Sequence, residues 1–146
     1  MDEYVFNENV PCEIHKGRPL VSVRRYRKIL FTSGFGCNEY RQGHIGGNLT
    51  KEDGYLACQN VALRLLNCVR ENLGNLDRVE KVLFAFGLVN CSDDFIDLEG
   101  VFSGFSDTLF EAFGERGICP HTVGGTRNLP VGNTAAEIEM VVLIRD

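Results

Sequence analysis

Alternating apolar and polar residues first appear after a polar segment at the start of the chain. Val21 and Val23 alternate with polar side chains, and a second apolar run, residues 29 to 31, follows a short basic stretch. Two short strands on either side of a few polar residues are typical of a β-hairpin. The preceding residues are weakly patterned, so we predict an N-terminal arm of residues 1 to 18 and a single domain of residues 19 to 146.

Apolar residues then recur at helical spacing. Thr50 followed by Asp53 resembles a capping box, and Gly74 is suited to end a helix. The spacing between them predicts a first helix over residues 51 to 73. A second apolar stripe, followed by another glycine, predicts a helix over residues 100 to 113.

Three further strands are predicted, over residues 79 to 89, 122 to 127 and 136 to 144. With the hairpin they give the order ββαβαββ, which suits an α+β fold with both helices packed on one face of a sheet. Residues 34 to 48 contain five glycines and are predicted to form a loop. Long glycine-rich loops often border functional sites.

Two of the predicted strands are apolar on both faces. Residues 82 to 89 are apolar throughout, and the strand over residues 136 to 144 becomes so toward its C-terminal end. Two helices can cover only one face of a sheet. The second face is therefore most economically buried against copies of the same chain, as in closed symmetric oligomers.

Composition excludes several classes of protein. The 146 residues, 44% of them apolar, suit one globular domain. The net charge of −5 opposes the phosphate attraction on which nucleic-acid binding depends. The basic residues between positions 24 and 28 surround a predicted turn, where solvated charges are ordinary. We therefore expect no nucleic-acid partner.

The chain also lacks the patterns of membrane and secreted proteins. Its first nine residues include three acidic side chains and no basic region followed by an apolar one, and no apolar run approaches the ~20 residues of a membrane span. We expect a cytoplasmic protein with no membrane contact. Its six cysteines are then expected to be free thiols.

Short motifs recur along residues 19 to 144. They are Phe31-Thr32-Ser33-Gly34, Gln59-Asn60 in a helix, Val79-Glu80-Lys81-Val82, Asp94-Phe95, Leu129-Pro130 and Glu137-Ile138-Glu139. Each motif is common alone, but their order and spacing resemble the YjgF/YER057c/UK114 (RidA-like) family. The longer segment before the second helix and the Phe-Gly-Glu-Arg-Gly sequence at residues 113 to 117 most resemble a less characterised subgroup.

The resemblance implies a chorismate-mutase-like fold with a mixed sheet, a homotrimer, and small-molecule clefts between subunits. In catalytic members these clefts hydrolyse reactive enamines and imines to 2-oxo acids and ammonia, without a metal or organic cofactor. Such a reaction requires an anchor for the substrate carboxylate, a positioned water molecule and a carboxylate that handles protons.

Three residues match pocket positions of that family. Glu137 matches the acidic residue that would orient the water, so it is the predicted catalytic residue; the alternative is a solvated strand carboxylate. Ser33 matches a position that borders the pocket, and Gly34 would permit close approach of the substrate. A strand end that simply turns would explain both residues equally well.

The chain departs from the family at the carboxylate anchor. Active members have an arginine eight residues before the Leu-Pro pair, and here that position holds His121, or Thr122 with a shift of one residue. Neither can form the bidentate salt bridge of arginine. Arg127 is a further candidate for substrate binding. The pocket tyrosine of the family is likewise replaced, by Leu20.

Two other chemistries have weaker support. Cys119, His121, Cys37 and His44 are zinc-type ligands, but no CxxC pair occurs, so no metal site is predicted. A Cys-His nucleophile would need a third group that the sequence does not identify. Three functions remain: an imine hydrolase with altered substrate preference, a binding trimer without turnover and, more weakly, the ribonuclease activity attributed to some family members.

Overall fold

The computed structural model describes residues 21–37 and 41–146. The predicted N-terminal arm and the replacement at Leu20 lie outside these residues. Within them, six strands form one sheet. The strands are β1 (Val23–Tyr26), β2 (Ile29–Thr32), β3 (Phe35–Gly36), β4 (Val79–Asn90), β5 (His121–Thr126) and β6 (Ala136–Ile144).

The sheet is mixed, as the resemblance implied. Its order is β1-β2-β6-β4-β5, with the short β3 pairing with β6 beside β2. β4 and β5 run parallel, and the other paired strands are antiparallel. The predicted hairpin, β1 and β2, is present, and the basic residues lie in β1 and in the turn after it.

Two long helices pack on this sheet. α1 (Lys51–Leu73) has the predicted bounds, because Thr50 and Asp53 form the capping box and Gly74 ends the helix with φ of 83°. α2 (Leu98–Phe113) begins two residues earlier than predicted. The reason is the carboxylate of Asp97, which accepts a hydrogen bond from the amide of Gly100 at 3.0 Å and so caps an earlier turn.

The element order differs from the prediction by one strand. β3 lies inside the predicted glycine-rich loop and pairs with Ile138 and Glu137 of β6. Two residues are too few to produce a periodic pattern, and their strand conformation comes from the partner strand. The order is therefore βββαβαββ.

Both helices cover the same face of the sheet. On β6, Ile138, Met140, Val142 and Ile144 are at most 2% exposed and point into the helices. We call this the covered face. α1 and α2 cross closely, because Gly104 has no side chain where a Cβ atom would strike the carbonyl oxygen of Tyr55.

The other face, here called the open face, is not covered by any helix among the described residues. Phe31 of β2 is 44% exposed and Phe84 of β4 is 37% exposed. Val141 and Leu143 of β6 are half-buried on the same face. No helix among the described residues is long and apolar enough to cross a bilayer.

Candidate functional site

Glu137, the predicted catalytic residue, lies near the start of β6. It pairs with Gly36 of β3 on one side and with Leu88 of β4 on the other. It alternates with the buried Ile138, so its half-buried side chain lies on the open face. The carboxylate is thus placed in the middle of the sheet, between two neighbouring strands.

The turn between β2 and β3 lies directly against this carboxylate. A Cβ atom on Gly34 would lie 2.7 Å from Oε1 of Glu137 and 3.1 Å from its carboxyl carbon. The backbone of Gly34 is outside the left-handed region. Glycine is needed here for close approach to Glu137 and not for an unusual turn conformation.

Ser33 precedes this glycine, and a backbone hydrogen bond fixes its position. Its amide donates a hydrogen bond to the carbonyl oxygen of Ser22 at 2.9 Å. Its hydroxyl oxygen is buried and has no hydrogen-bond partner among the described residues. A buried hydroxyl without a partner is costly, which is a reason to expect that it bonds a ligand or water.

Thr122 shares the open face with Glu137. It pairs with Phe86 of β4, which in turn pairs with Glu139 of β6. Glu139 and Glu137 alternate by two positions and point the same way. Thr122 is exposed and lies two strands across and two residues along the sheet from Glu137, roughly 12 Å away.

His121 lies on the opposite face. It pairs with the buried Ala85, its ring stacks on Phe102 of α2 with the ring centroids 4.5 Å apart, and its Nε2 lies 2.9 Å from a carboxylate oxygen of Glu99. The structure therefore does not bring His121 and Glu137 together within one chain. The two positions at which the sequence could place the anchor differ by one residue, and one residue changes the face of a strand.

Arg127 also lies away from Glu137. It follows the end of β5, and its Nε is 3.1 Å from a carboxylate oxygen of Asp93. Nε2 of His44 donates a hydrogen bond to the carbonyl oxygen of Arg127 at 2.7 Å. Arg127 is thus tied to the loop after β4 and to the glycine-rich loop.

Sequence reasoning missed a turn of unusual conformation before β6. Val131, Gly132 and Asn133 have successive φ values of 55°, 70° and 59°. Left-handed geometry is rare for a β-branched residue such as Val131. The Asn133 side chain stabilises the turn by accepting hydrogen bonds from the Asn90 side chain at 2.7 Å and from the amide of Leu129 at 3.2 Å. The Gly-Asn pair was the available signal.

This turn borders an open hollow of about 500 Å³, which is also lined by Cys37 and Gln42. Cys37 follows Gly36, the register partner of Glu137. Its amide donates a hydrogen bond to the hydroxyl of Thr134 at 2.9 Å. The hollow therefore adjoins the end of the sheet where Glu137 lies.

Cys119 and Cys37, the cysteines considered as nucleophiles, are poorly suited to form a second reactive centre. Burial raises the pKa of the Cys119 thiol to about 11, so it is protonated at neutral pH and is a poor nucleophile. Cys37 is 5% exposed. Within residues 21–37 and 41–146, no three His, Cys, Asp or Glu side chains are grouped as a metal site would require.

Comparisons with known proteins show which proteins share this fold. No family model matches the chain. Protein TCP17 of Trypanosoma cruzi is 34% identical over 101 residues, which are 68% of this chain and 62% of that protein, less than two thirds of its length. Rv2704 of Mycobacterium tuberculosis, a member of the YjgF/YER057c/UK114 family, superposes with a TM-score of 0.56 at 12% identity, covering 84% of this chain and 85% of that one.

The chain has the fold of the YjgF/YER057c/UK114 family. The resemblance predicted from the sequence motifs is thereby confirmed. A Shewanella oneidensis protein, named as a candidate endoribonuclease, is closer in shape, with a TM-score of 0.86 at 22% identity over 92% of this chain and 91% of that one. The two superpositions cover similar shares of the chain, so the higher TM-score means that this chain superposes more closely on the Shewanella protein than on Rv2704.

Proposed function

We propose that the chain is the subunit of a homotrimer that holds a small metabolite beside Glu137 and hydrolyses reactive enamines or imines. The single observation on which this rests is the contact between Gly34 and Glu137. A Cβ atom on residue 34 would lie 2.7 Å from a carboxylate oxygen of Glu137, so glycine allows that oxygen to lie directly beside the backbone turn. A solvated strand carboxylate would require no such glycine.

The open face supports assembly. Phe31, Phe84, Val141 and Leu143 present apolar surface that neither helix covers, and such contiguous surface on a soluble domain is typical of an interface. A trimer formed through this face would bury it and would enclose Glu137 at a subunit boundary. Water would then be largely excluded from the carboxylate, which strengthens its electrostatic interactions.

The chemistry follows from these groups. An enamine first takes a proton at its carbon and loses one from its nitrogen, which makes it an imine. Glu137 then accepts a proton from a water molecule as the water oxygen bonds to the imine carbon, and it passes this proton to the nitrogen, which gives a carbinolamine. Transfer of the hydroxyl proton through Glu137 to the nitrogen breaks the C–N bond, so that ammonia leaves and the carbonyl compound forms. The partnerless hydroxyl of Ser33 would orient the substrate by donating a hydrogen bond.

The substrate anchor differs from that of the arginine-containing members. Thr122 is the predicted binding residue that shares the open face with Glu137. A hydroxyl donates one hydrogen bond in place of a bidentate salt bridge, so a substrate carboxylate is held less strongly. The proposed enzyme therefore has an altered substrate preference.

A binding trimer without turnover is the second candidate. It is favoured by the positions of His121 and Arg127, neither of which reaches the open face of its own chain. An endoribonuclease, the name given to the Shewanella protein, is a weaker alternative, because a net charge of −5 repels a phosphate backbone.

One assay separates these functions. Purified protein is mixed with freshly generated 2-aminoacrylate or a 2-imino acid between about pH 6 and 9, and release of 2-oxo acid and ammonia is followed. The hydrolase predicts acceleration that Glu137→Gln abolishes. If wild type and variant match the uncatalysed rate while metabolites still raise the melting temperature, the protein is a binder and the enzymatic proposal is wrong.

A further inference from the structure

A second pocket lies at the carboxyl ends of β4 and β5. These two parallel strands are connected through α2, and the loop after β4 leads directly into that helix. In sheets with parallel strands, ligands bind in the crevice outside the carboxyl ends of the strands. A cavity of about 230 Å³ occupies this position, between the β4–α2 loop and the last residues of β5.

The pocket is separate from the Glu137 site. Gly125, which lines it, pairs with the buried Val89 and lies on the covered face. A Cβ atom on Gly125 would lie 3.0 Å from the sulfur of Cys91 and 3.6 Å from a methyl carbon of Leu98. The absence of a side chain at Gly125 therefore leaves space between these two groups.

The floor of the pocket is apolar and uncharged. Leu98 and Phe95 supply hydrocarbon surface. Cys91 is 6% exposed, and burial raises the pKa of its thiol, so the sulfur stays protonated at neutral pH. A small aliphatic group would fit this floor.

The rim is an ion pair. Nε of Arg127 lies 3.1 Å from Oδ1 of Asp93, and the two side chains are 72% and 73% exposed. The pairing through Nε leaves the edge formed by the two terminal nitrogens of Arg127 turned away from Asp93. That edge can hold a carboxylate with two parallel hydrogen bonds. The hydrogen bond from His44 fixes the Arg127 backbone beneath it.

Charge selects the class of ligand. A simple anion would meet Asp93, whereas a simple cation would meet Arg127. A zwitterion satisfies both members of the rim, with its carboxylate on Arg127 and its ammonium group on Asp93. The cavity is smaller than the roughly 300–1,000 Å³ of pockets for drug-sized ligands.

We propose that this pocket binds a small aliphatic α-amino acid, with the Asp93–Arg127 pair holding the zwitterionic end and Leu98, Phe95 and Cys91 enclosing the side chain. The site does not depend on Glu137 and stands whether or not the hydrolase proposal is correct.

The test is a titration of the full chain with L-leucine, followed by calorimetry and by amide chemical shifts. 4-Methylpentanoate, which is leucine without its amine, and isoamylamine, which is leucine without its carboxylate, are the matched half-ligands. We expect saturable L-leucine binding with shifts at residues 91–98 and 125–127, and affinities at least about tenfold weaker for each half-ligand.

Arg127→Gln and Asp93→Asn should each weaken L-leucine binding by about tenfold or more. Both side chains are exposed, so neither substitution threatens folding. The matched control is Lys28→Gln, which removes another exposed ion pair, Lys28–Asp146 at 3.0 Å. The proposal is overturned if L-leucine does not bind, if 4-methylpentanoate binds equally well, or if the two rim variants bind like the control.

Discussion

Gly34→Ala is the most direct test of the Glu137 site. The new methyl carbon would lie 2.7 Å from Oε1 of the carboxylate. Carbon–oxygen contacts of this kind normally begin near about 3.3 Å, so the carboxylate must move by about 0.6 Å or more. Because Gly34 has an ordinary backbone conformation, alanine adds steric pressure without backbone strain.

Displacement of this size is large for a group that positions a water molecule. A misplacement of 1 Å in a catalytic arrangement can reduce the rate by about 100-fold, so we expect kcat to fall by about 10- to 100-fold. Initial rates of 2-oxo acid formation from a 2-imino acid measure the effect. A melting curve of the same preparation separates loss of activity from loss of fold.

Gly124→Ala is the matched control for this prediction. It places a methyl group on the same open face, but that group would meet only the Leu88 side chain, at an ordinary contact distance of 3.6 Å. Its activity should stay within about twofold of wild type, because the contact requires no movement. Equal rates for Gly34→Ala and Gly124→Ala would refute the claim that Gly34 positions the carboxylate.

Three further predictions concern stability and assembly. Gly104→Ala should lower the free energy of unfolding by about 1–3 kcal/mol in denaturant titration, since its methyl group would strike the Tyr55 carbonyl where α1 and α2 cross; the Gly124→Ala value is the comparison. Hydrogen bonds from Thr50 lower the pKa of Asp53 below its usual value of 3.8. The stabilisation that the ionised Asp53 gives to the folded protein is therefore fully present above the pKa that Asp53 has in the unfolded chain. This stabilisation is lost as the pH falls through the lower pKa that Asp53 has in the folded protein. Asp53→Asn should therefore melt with less acid sensitivity as the pH falls below the usual pKa of an aspartate, and an unchanged profile would contradict this assignment. If the proposed trimer assembles through the open face, Phe31→Glu should convert it to monomers in light scattering, because the substitution places a charge on that face; a variant that stays trimeric would place the interface elsewhere.

The elements of the fold were predictable where a periodic pattern is long. α1 was predicted with its bounds, because its apolar spacing, the Thr50 capping box and Gly74 agree. β3 could not be predicted, since its two residues become a strand only by pairing with β6. The left-handed turn at Val131 could not be predicted from the sequence either. Its conformation is determined by hydrogen bonds to Asn133 and not by the backbone preference of valine.

The site was only partly predictable, for a different reason. The motifs placed Ser33, Gly34 and Glu137 close together, and the structure brings Gly34 against the Glu137 carboxylate. For the anchor, the sequence allowed His121 or Thr122. Only strand pairing decides between them. His121 pairs with Ala85 and therefore points toward the helices, whereas Thr122, the next residue, points to the open face. Motif spacing cannot resolve a choice that depends on one residue of register.

The placement of the two alternatives also separates the functional hypotheses. If the chain works as a hydrolase, the substrate must find its cation on another subunit or bind without one, since His121 is engaged with Glu99 on the far side of its own sheet. Both possibilities make the open face essential to activity. Phe31→Glu would then abolish catalysis together with the trimer, even though Phe31 lies on a different strand from Glu137. If the isolated chain remained fully active, the catalytic carboxylate would act without a subunit boundary, and the proposed link between assembly and function would have to be abandoned.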